Sequence, residues 1–366
     1  MKPFEQLTTI GQVRRLRHLG VLALEAFGMP RARLKLIQNH ENATFRVDLS
    51  DTESGRDVPR HDPYRPGRFL LRIHRSHHQT PRSIASELDW LAALRQGEGL
   101  VVPDPVVSPD GERLVIVQAA GVPEPRACSL LRWIDGRVLE WNPAVGQFVQ
   151  EWNPTVGQFD ALGELMARLH NHASSWQRPA AFERRRLDWE GLFGDNAGFA
   201  SGGAATWARV PQPYRSCFED VAKKTRHVMD ELGYGADDFG VIHADLHTDN
   251  LVFRDGGAYP IDFDDCGFAH WVYDIGAPLI YFQDRDDWPC LVEALLRGYA
   301  RCRPLPIRQL NHLHQFMAAR HVSFTLWEAD RAQEIPSVRT HLQQTFARAA
   351  ADIDYLQSIP RGQIRP

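Results

Sequence analysis

Between Val241 and Phe263 the chain places three oxygen-bearing side chains at spacings suited to work on a phosphate. These are Asp245, Asn250 five residues on, and Asp262 twelve further. Transfer of a phosphoryl group needs little covalent help and much positioning and charge neutralisation. A carboxylate such as Asp245 can orient an acceptor hydroxyl and take its proton. Asn250 and Asp262 offer hard oxygen ligands to Mg²⁺, which keeps its other positions for water and phosphate. From His243 to Cys290 there are ten Asp and only two Arg, Arg254 and Arg285. Without bound cations such a density of negative charge repels itself. The alternation His243-Asp245-His247 also admits a metal-hydrolase cluster. No second histidine pair at ligand spacing follows it, so phosphoryl transfer is the preferred chemistry.

The elements around these residues must bring them together. An apolar approach leads into Val241–Phe253, the residues Arg254-Asp255-Gly256-Gly257 make a turn, and Tyr259 to Phe263 reads as a returning strand that carries Asp262, with Asp264 and Asp265 just after it. This hairpin is expected to draw Asp245, Asn250 and Asp262 into one place. Upstream, Thr8 to Met29 has a loose helical apolar pattern, with Gly28 as a stop. Leu34 to Gln38 and Ala43 to Leu49 read as strands around a polar bend, followed by a long Pro-, Arg- and Asp-rich loop from Ser50 to Gly67. Phe69 to Arg75 is strand-like, and Ile84 to Arg95 is helical. Further strands are expected at Pro105–Ser108 and Leu114–Gln118, joined by the turn Pro109-Asp110-Gly111, and at Ala127–Ile134. The remainder is helix-rich, including an amphipathic stretch from Asp160 to His172 and an apolar-aromatic one from Leu310 to Ile335. The fold class expected is therefore α+β. A small, mostly antiparallel sheet with one inserted helix precedes a large helical part.

The 366 residues predict two domains or one large bilobal unit. A hydrophobic content of 43% and a charged content of 24% exclude a disordered or fibrous chain. The formal net charge of −4 disfavours a general nucleic-acid binder. The opening residues lack the pattern of a signal peptide, and no apolar run approaches the roughly 20 residues of a membrane span. Five scattered cysteines without CxxC spacing read as reduced thiols, so a cytoplasmic location is expected. Glu-Trp-Asn-Pro-x-Val-Gly-Gln-Phe occurs twice, from Glu140 and from Glu151. Two copies do not make a solenoid, and a duplication tolerated in a surface loop is the simplest reading.

The order His-x-Asp-x-x-x-x-Asn, then Ile-Asp about a dozen residues later, resembles the aminoglycoside phosphotransferase and choline kinase family, distant relatives of protein kinases. That resemblance implies a bilobal protein-kinase-like fold. A nucleotide-binding lobe would span residues 1–131, a hinge 132–136, and a catalytic and acceptor-binding lobe 137–366. It implies ATP and Mg²⁺ as cofactors. Carried onto matching positions, Asp245 resembles the catalytic base, and His243 the histidine that props the catalytic loop. Asn250 and Asp262 resemble the metal ligands, and Asp274 the buried aspartate that holds the loop's backbone. In the first lobe Arg72 stands where most relatives have Lys. Glu87 lies on the apolar face of the next helix with Ile84, Leu88 and Leu91, where a carboxylate is costly unless paired, so Arg72 and Glu87 are expected to form a couple. The nucleotide-covering loop would be Gln38 to Thr44, which has no glycine. The amides of Asn42, Ala43 and Thr44 would face phosphate. The backbone of Leu131, Arg132, Trp133 and Ile134 would meet adenine.

Only eleven residues separate Asp262 from Asp274. That leaves no room for the long peptide-docking segment of protein kinases and favours a small-molecule hydroxyl acceptor, such as an aminoglycoside, a choline-like amino alcohol or a homoserine-like amino acid. A stress-response-type protein Ser/Thr kinase and a nucleotide-binding pseudokinase are the alternatives. Arg320, Glu328 and Asp330 are candidate pocket charges. His74, His77 and His78 read as surface histidines.

Overall fold

Two threonines show how local sequence starts the first elements. Thr8 opens α1 (Thr9–Ala26) by accepting the Gly11 amide, and Thr80 opens α2 (Pro81–Gly97) by accepting the Ser83 amide. Each satisfies a donor that the first helical turn leaves orphaned. Between and after these helices lie β1 (Arg33–Asn39), β2 (Ala43–Asp48), β3 (Tyr64–Ile73), β4 (Leu114–Val117) and β5 (Arg126–Ile134). They form one antiparallel sheet of order β1-β2-β3-β5-β4. Its core sets Leu16, Leu19, Ala23 and Leu24 of α1 against Phe45, Val47, Leu71, Ile73 and Leu130. The computed structural model describes residues 2–39, 42–50, 63–76, 78–136, 141–142, 147–148, 154–333 and 335–359. The chain divides into two compact units. One comprises Met1–Arg137, Arg178–Glu183 and Tyr259–Asp264; the other comprises Val138–Gln177, Arg184–Ala258 and Asp265–Pro366.

The second unit contains β6 (Trp141–Asn142) paired with β7 (Gln147–Phe148), then α3 (Val156–Ser175), α4 (Trp189–Phe193), α5 (Gly203–Trp207) and α6 (Gln212–Leu232). The strand β8 (Phe239–Ile242) and the strand β9 (Leu251–Arg254) bracket the His243–Asn250 segment. The turn Asp255-Gly256 leads into β10 (Gly257–Pro260), through which the chain passes back to the first unit. Then come β11 (Gly267–His270), which pairs antiparallel with β8, and the helices α7 (Trp271–Leu279), α8 (Trp288–Ala300), α9 (Ile307–Leu310), α10 (Leu313–Arg331) and α11 (Pro336–Ser358). α3 and α8 touch backbone to backbone. A Cβ added at Gly163 would lie 1.9 Å from the Leu295 carbonyl oxygen, and one at Gly298 would lie 1.9 Å from that of Asp160. Only glycine permits this approach. Among the described residues no helix is long and apolar enough to cross a membrane.

Three expected elements differ. The strand read as Phe69–Arg75 starts at Tyr64, whose buried ring anchors it by donating its hydroxyl to the Val102 carbonyl at 2.7 Å. Pro105–Ser108 makes a single bridge, Pro105 to Leu131, in place of a strand. Pro103 and Pro105 have no N–H to give a ladder. The strand read as Tyr259–Phe263 ends at Pro260, because Asp262 adopts φ +59° and Phe263–Asp265 turn into a 3₁₀ helix. The greater part of the expected loop, 51–62, lies outside the described residues, as do His40, Glu41 and His77. Much of the duplicated stretch does too. Its second copy runs into α3, where Thr155 and Gln158 form a reciprocal capping box and Phe159 is buried. Ala144 occupies the Thr155 position in the first copy, so that copy lacks the capping hydroxyl.

Candidate active site

The catalytic-loop candidates are built on a chain of buried contacts within the second unit. His170 of α3 sits between the Tyr299 hydroxyl (2.9 Å) and Asp274 Oδ2 (3.1 Å), and is fully buried. Burial keeps its pKa below the usual histidine value, against the pull of Asp274. Asp274, in the first turns of α7, accepts the amides of His243 (3.1 Å) and Ala244 (2.7 Å). Ala244 adopts φ +71°, a left-handed conformation that an L-residue with a Cβ resists. The two hydrogen bonds from Asp274 therefore hold a strained turn directly before Asp245. His243 is buried, and its Nδ1 accepts the Asp245 amide at 3.3 Å.

Asp245 is bonded through both carboxylate oxygens. Oδ2 accepts from Asn250 Nδ2 at 2.8 Å and lies 3.2 Å from His247 Nε2. Oδ1 accepts from Arg320 Nη2 of α10, while Arg320 Nη1 donates to the Ala244 carbonyl at 2.7 Å. Burial opposes the carboxylate's charge, but His247 and then Arg320 outweigh it, so the Asp245 carboxyl is held well below the usual carboxylate range. The same pairing raises the His247 pKa, with Asp245 and Asp249 overcoming burial. The His247 ring lies 5.5 Å from that of Tyr281. Asn250 Nδ2 is also 2.9 Å from the Asp245 carbonyl. With its amino group committed in this way, among the described residues its amide oxygen has no hydrogen-bond donor, which leaves a hard oxygen suited to a divalent cation.

A second cluster lies in the first unit, around Arg72 of β3. Arg72 Nη1 donates to Glu87 Oε1 at 2.7 Å and reaches Asp264 Oδ1 at 3.5 Å. Its Nη2 donates to Asp262 Oδ1 at 2.8 Å. Glu87 is fully buried on α2, whereas the Asp262 side chain is 43% exposed. Burial disfavours the guanidinium charge, but Glu87, Asp262 and Asp264 together raise the Arg72 pKa above the usual value. Asp264 is held in turn by Asn42 Nδ2 at 3.0 Å, and its carbonyl accepts from Gln79. Asn42 Oδ1 accepts the Arg75 amide, so this side chain ties the start of β2 to the residues just after β3.

Ala43 and Thr44 are buried strand residues of β2, opposite Ile73 and Arg72. Leu131, Arg132, Trp133 and Ile134 form the end of β5. The Arg132 amide is engaged by the Asp104 carbonyl at 2.9 Å, and its guanidinium lies 4.0 Å from the centre of the Tyr64 ring. His74 is buried and bonded to Ser129, which corrects its reading as a surface group. Asp330 is likewise buried, accepting the amides of Ala200 and Ser201. The structure thus brings Asp245 to Asn250, and Arg72 to Glu87 and Asp262. Sequence reasoning missed four partnerships: Arg320 and His247 on Asp245, Asp264 on Arg72, and Asn42 on Asp264. For Arg320 a signal existed, a charge set among Met317, Ala318, Ala319 and Val322.

An antiparallel five-stranded unit with a helix-borne glutamate on a strand arginine, and a helical unit with an Asp-x-x-x-x-Asn loop, define a kinase-like fold. The solved structure of a microcompartment-associated aminopropanol kinase is similar to this chain with a TM-score of 0.73 and 29% identity, over 93% of this chain and 98% of that one. An amicoumacin kinase solved with AMP-PNP, Ca²⁺ and Ami has the same TM-score at 18% identity, over 98% and 100% of the two chains. The chain belongs to the phosphotransferase enzyme family, whose match spans residues 40–310. It is also 26% identical to amicoumacin kinase of Bacillus subtilis, over 69% of this chain and 71% of that protein. An uncharacterized protein of Deinococcus radiodurans is 27% identical over 86% and 82%. The chain is therefore a phosphotransferase with a kinase-like fold.

Proposed function

We propose that this phosphotransferase moves the γ-phosphate of ATP to a hydroxyl of a small, amine-bearing alcohol, in the cytoplasm and with Mg²⁺. The observation that carries this reading is the Asp245 carboxylate, kept ionised and fixed beside Asn250 on a loop braced by Asp274. Asp245 orients the acceptor hydroxyl and accepts its proton. A loose phosphoryl transition state asks little more of this group than to orient the hydroxyl and take its proton. The Asn250 amide oxygen in the second unit and the Asp262 carboxylate in the first are each assigned as a hard oxygen donor for Mg²⁺. When bound, the ion supplies charge neutralisation at the phosphates. Arg72, fixed by Glu87, is the cation of the first unit assigned to the nucleotide phosphates, and Asn42, which holds Asp264 and the Arg75 amide, is assigned to the same phosphates. His243 and Asp274 keep the loop in shape. The backbone of Leu131, Trp133 and Ile134 is kept as a nucleotide contact, whereas the Arg132 amide is taken by the Asp104 carbonyl and Ala43 and Thr44 lie in the ladder between β1 and β3.

Two observations support an amine-bearing acceptor. One is the likeness to an aminopropanol kinase over nearly the whole of both chains. The other is that Arg320, one candidate among many for the cation an amino-acid carboxylate would need, is committed to Asp245 and the Ala244 carbonyl. The test is ATP turnover across a panel of amino alcohols, amino acids and aminoglycosides. An amino alcohol is expected to give the highest kcat/KM, and exclusive turnover of amino acids would overturn the acceptor assignment. For Asp262→Ala, calorimetry should show loss of the Mg²⁺-dependent part of nucleotide affinity. Unchanged Mg²⁺ dependence would remove Asp262 from the metal site.

A further inference from the structure

Arg320 stands seventy-five residues from Asp245 in the chain, yet it touches the two atoms that define the geometry of the proposed base. One guanidinium nitrogen takes the Ala244 carbonyl and the other takes Asp245 Oδ1. The strained Ala244 turn is thereby held from both sides. Asp274 accepts its N–H, and Arg320 donates to its C=O. The planar fork of an arginine can make both bonds at once, whereas a lysine offers a single point of charge. The side chain is buried, and Tyr273 lies 5.8 Å from its guanidinium carbon. It stands on α10 between Ala319 and His321 and is flanked by the buried Met317, Ala318 and Val322. A charge in such surroundings is strongly unfavourable unless it is paired.

We propose that Arg320 is a positioning residue for phosphoryl transfer: from α10 it clamps the Ala244 turn and fixes the Asp245 carboxylate in one orientation, with Oδ2 left to His247 and Asn250. This rests on the reading of Asp245 as the base. Arg320 itself makes no contact with substrate in this scheme. Its effect is on kcat, with nucleotide binding untouched.

The test uses Arg320→Lys and Arg320→Ala in the full chain. For Arg320→Lys, calorimetry with Mg²⁺ and AMP-PNP should give the wild-type stoichiometry and affinity. kcat should fall at least tenfold, and KM for ATP should stay within about threefold. Amide hydrogen exchange at Ala244 and Asp245 should quicken at least tenfold. For Arg320→Ala, added guanidinium chloride should restore at least a tenfold gain in kcat, which sodium chloride at the same strength does not. Wild-type kcat or wild-type exchange protection in Arg320→Lys overturns the proposal. So does an Arg320→Ala variant that binds nucleotide stoichiometrically but gains nothing from guanidinium. If Arg320→Ala does not fold, Arg320→Lys decides. If the wild-type chain phosphorylates no acceptor, the functional reading fails on its own, and the exchange measurement still decides whether Arg320 clamps the turn.

Discussion

The Arg72 and Asp245 clusters combine donors and carboxylates in opposite proportion. Around Arg72 one guanidinium serves three carboxylates, Glu87, Asp262 and Asp264. Around Asp245 one carboxylate is served by three donors, Arg320, His247 and Asn250. The first arrangement gathers negative charge about a fixed cation and leaves the Asp262 side chain 43% exposed. The second keeps one carboxylate ionised and immobile. A metal-bound nucleotide calls for the first, and a base that orients a hydroxyl calls for the second. Each cluster also rests on a fully buried acid, Glu87 in one and Asp274 in the other.

Substitutions can break this contrast at graded cost. The largest effect is expected for Arg72→Met, which leaves Glu87 ionised and buried without its guanidinium. A loss of about 3–5 kcal/mol in unfolding free energy is expected, read by denaturant titration. A loss under about 1 kcal/mol would mean that Arg72 does not hold this cluster. Next is Asp274→Ala, which orphans the His243 and Ala244 amides. We expect about 2–3 kcal/mol of destabilisation and a fall in kcat greater than any change in KM for ATP.

His321, adjacent to Arg320, sharpens the second region through pH. Burial first, then Arg320 and Arg348, push its pKa down to about 4. The unfolded chain therefore binds a proton at higher pH than the folded one. Stability is full above the ordinary histidine pKa and declines as pH falls from about 6.5 towards 4, by an amount on the order of 2–3 kcal/mol. His321→Gln should flatten that part of the pH–stability curve, and an unchanged slope would place the titration elsewhere. The smallest effect is expected for Ala244→Gly. Removing the Cβ at φ +71° should raise stability by about 0.5–1 kcal/mol, visible as a small increase in Tm. A decrease would show that the turn is not strained.

Much of the frame is legible in the sequence because it is local. Thr8 marks a helix start, and the alternation in Ala43–Asp48 marks a buried strand, whereas the reading of α2 from Ile84 missed its first turn after Thr80. The Arg72–Glu87 couple is legible for a physical reason, since a carboxylate on the apolar stripe of α2 demands a partner. The same reasoning applied to Arg320 demands a carboxylate, but it does not say which one. The chain offers 46 acidic residues, and only the packing of α10 selects Asp245. Asn42 and Asp264, 222 residues apart, are beyond any pattern. The early end of β10 is hidden for another reason: Asp262 takes a left-handed backbone that its residue type tolerates but does not announce.

The most direct measurement is transfer of labelled γ-phosphate from ATP to an amino alcohol by the wild-type chain and by Asp245→Asn, with nucleotide affinity measured in parallel. Wild type should label the acceptor hydroxyl. Asp245→Asn should bind Mg²⁺–nucleotide with affinity within a few fold of wild type and lose about 10²–10⁴-fold in transfer rate. Equal rates in the two proteins would contradict the assignment of Asp245 as the residue that prepares the acceptor.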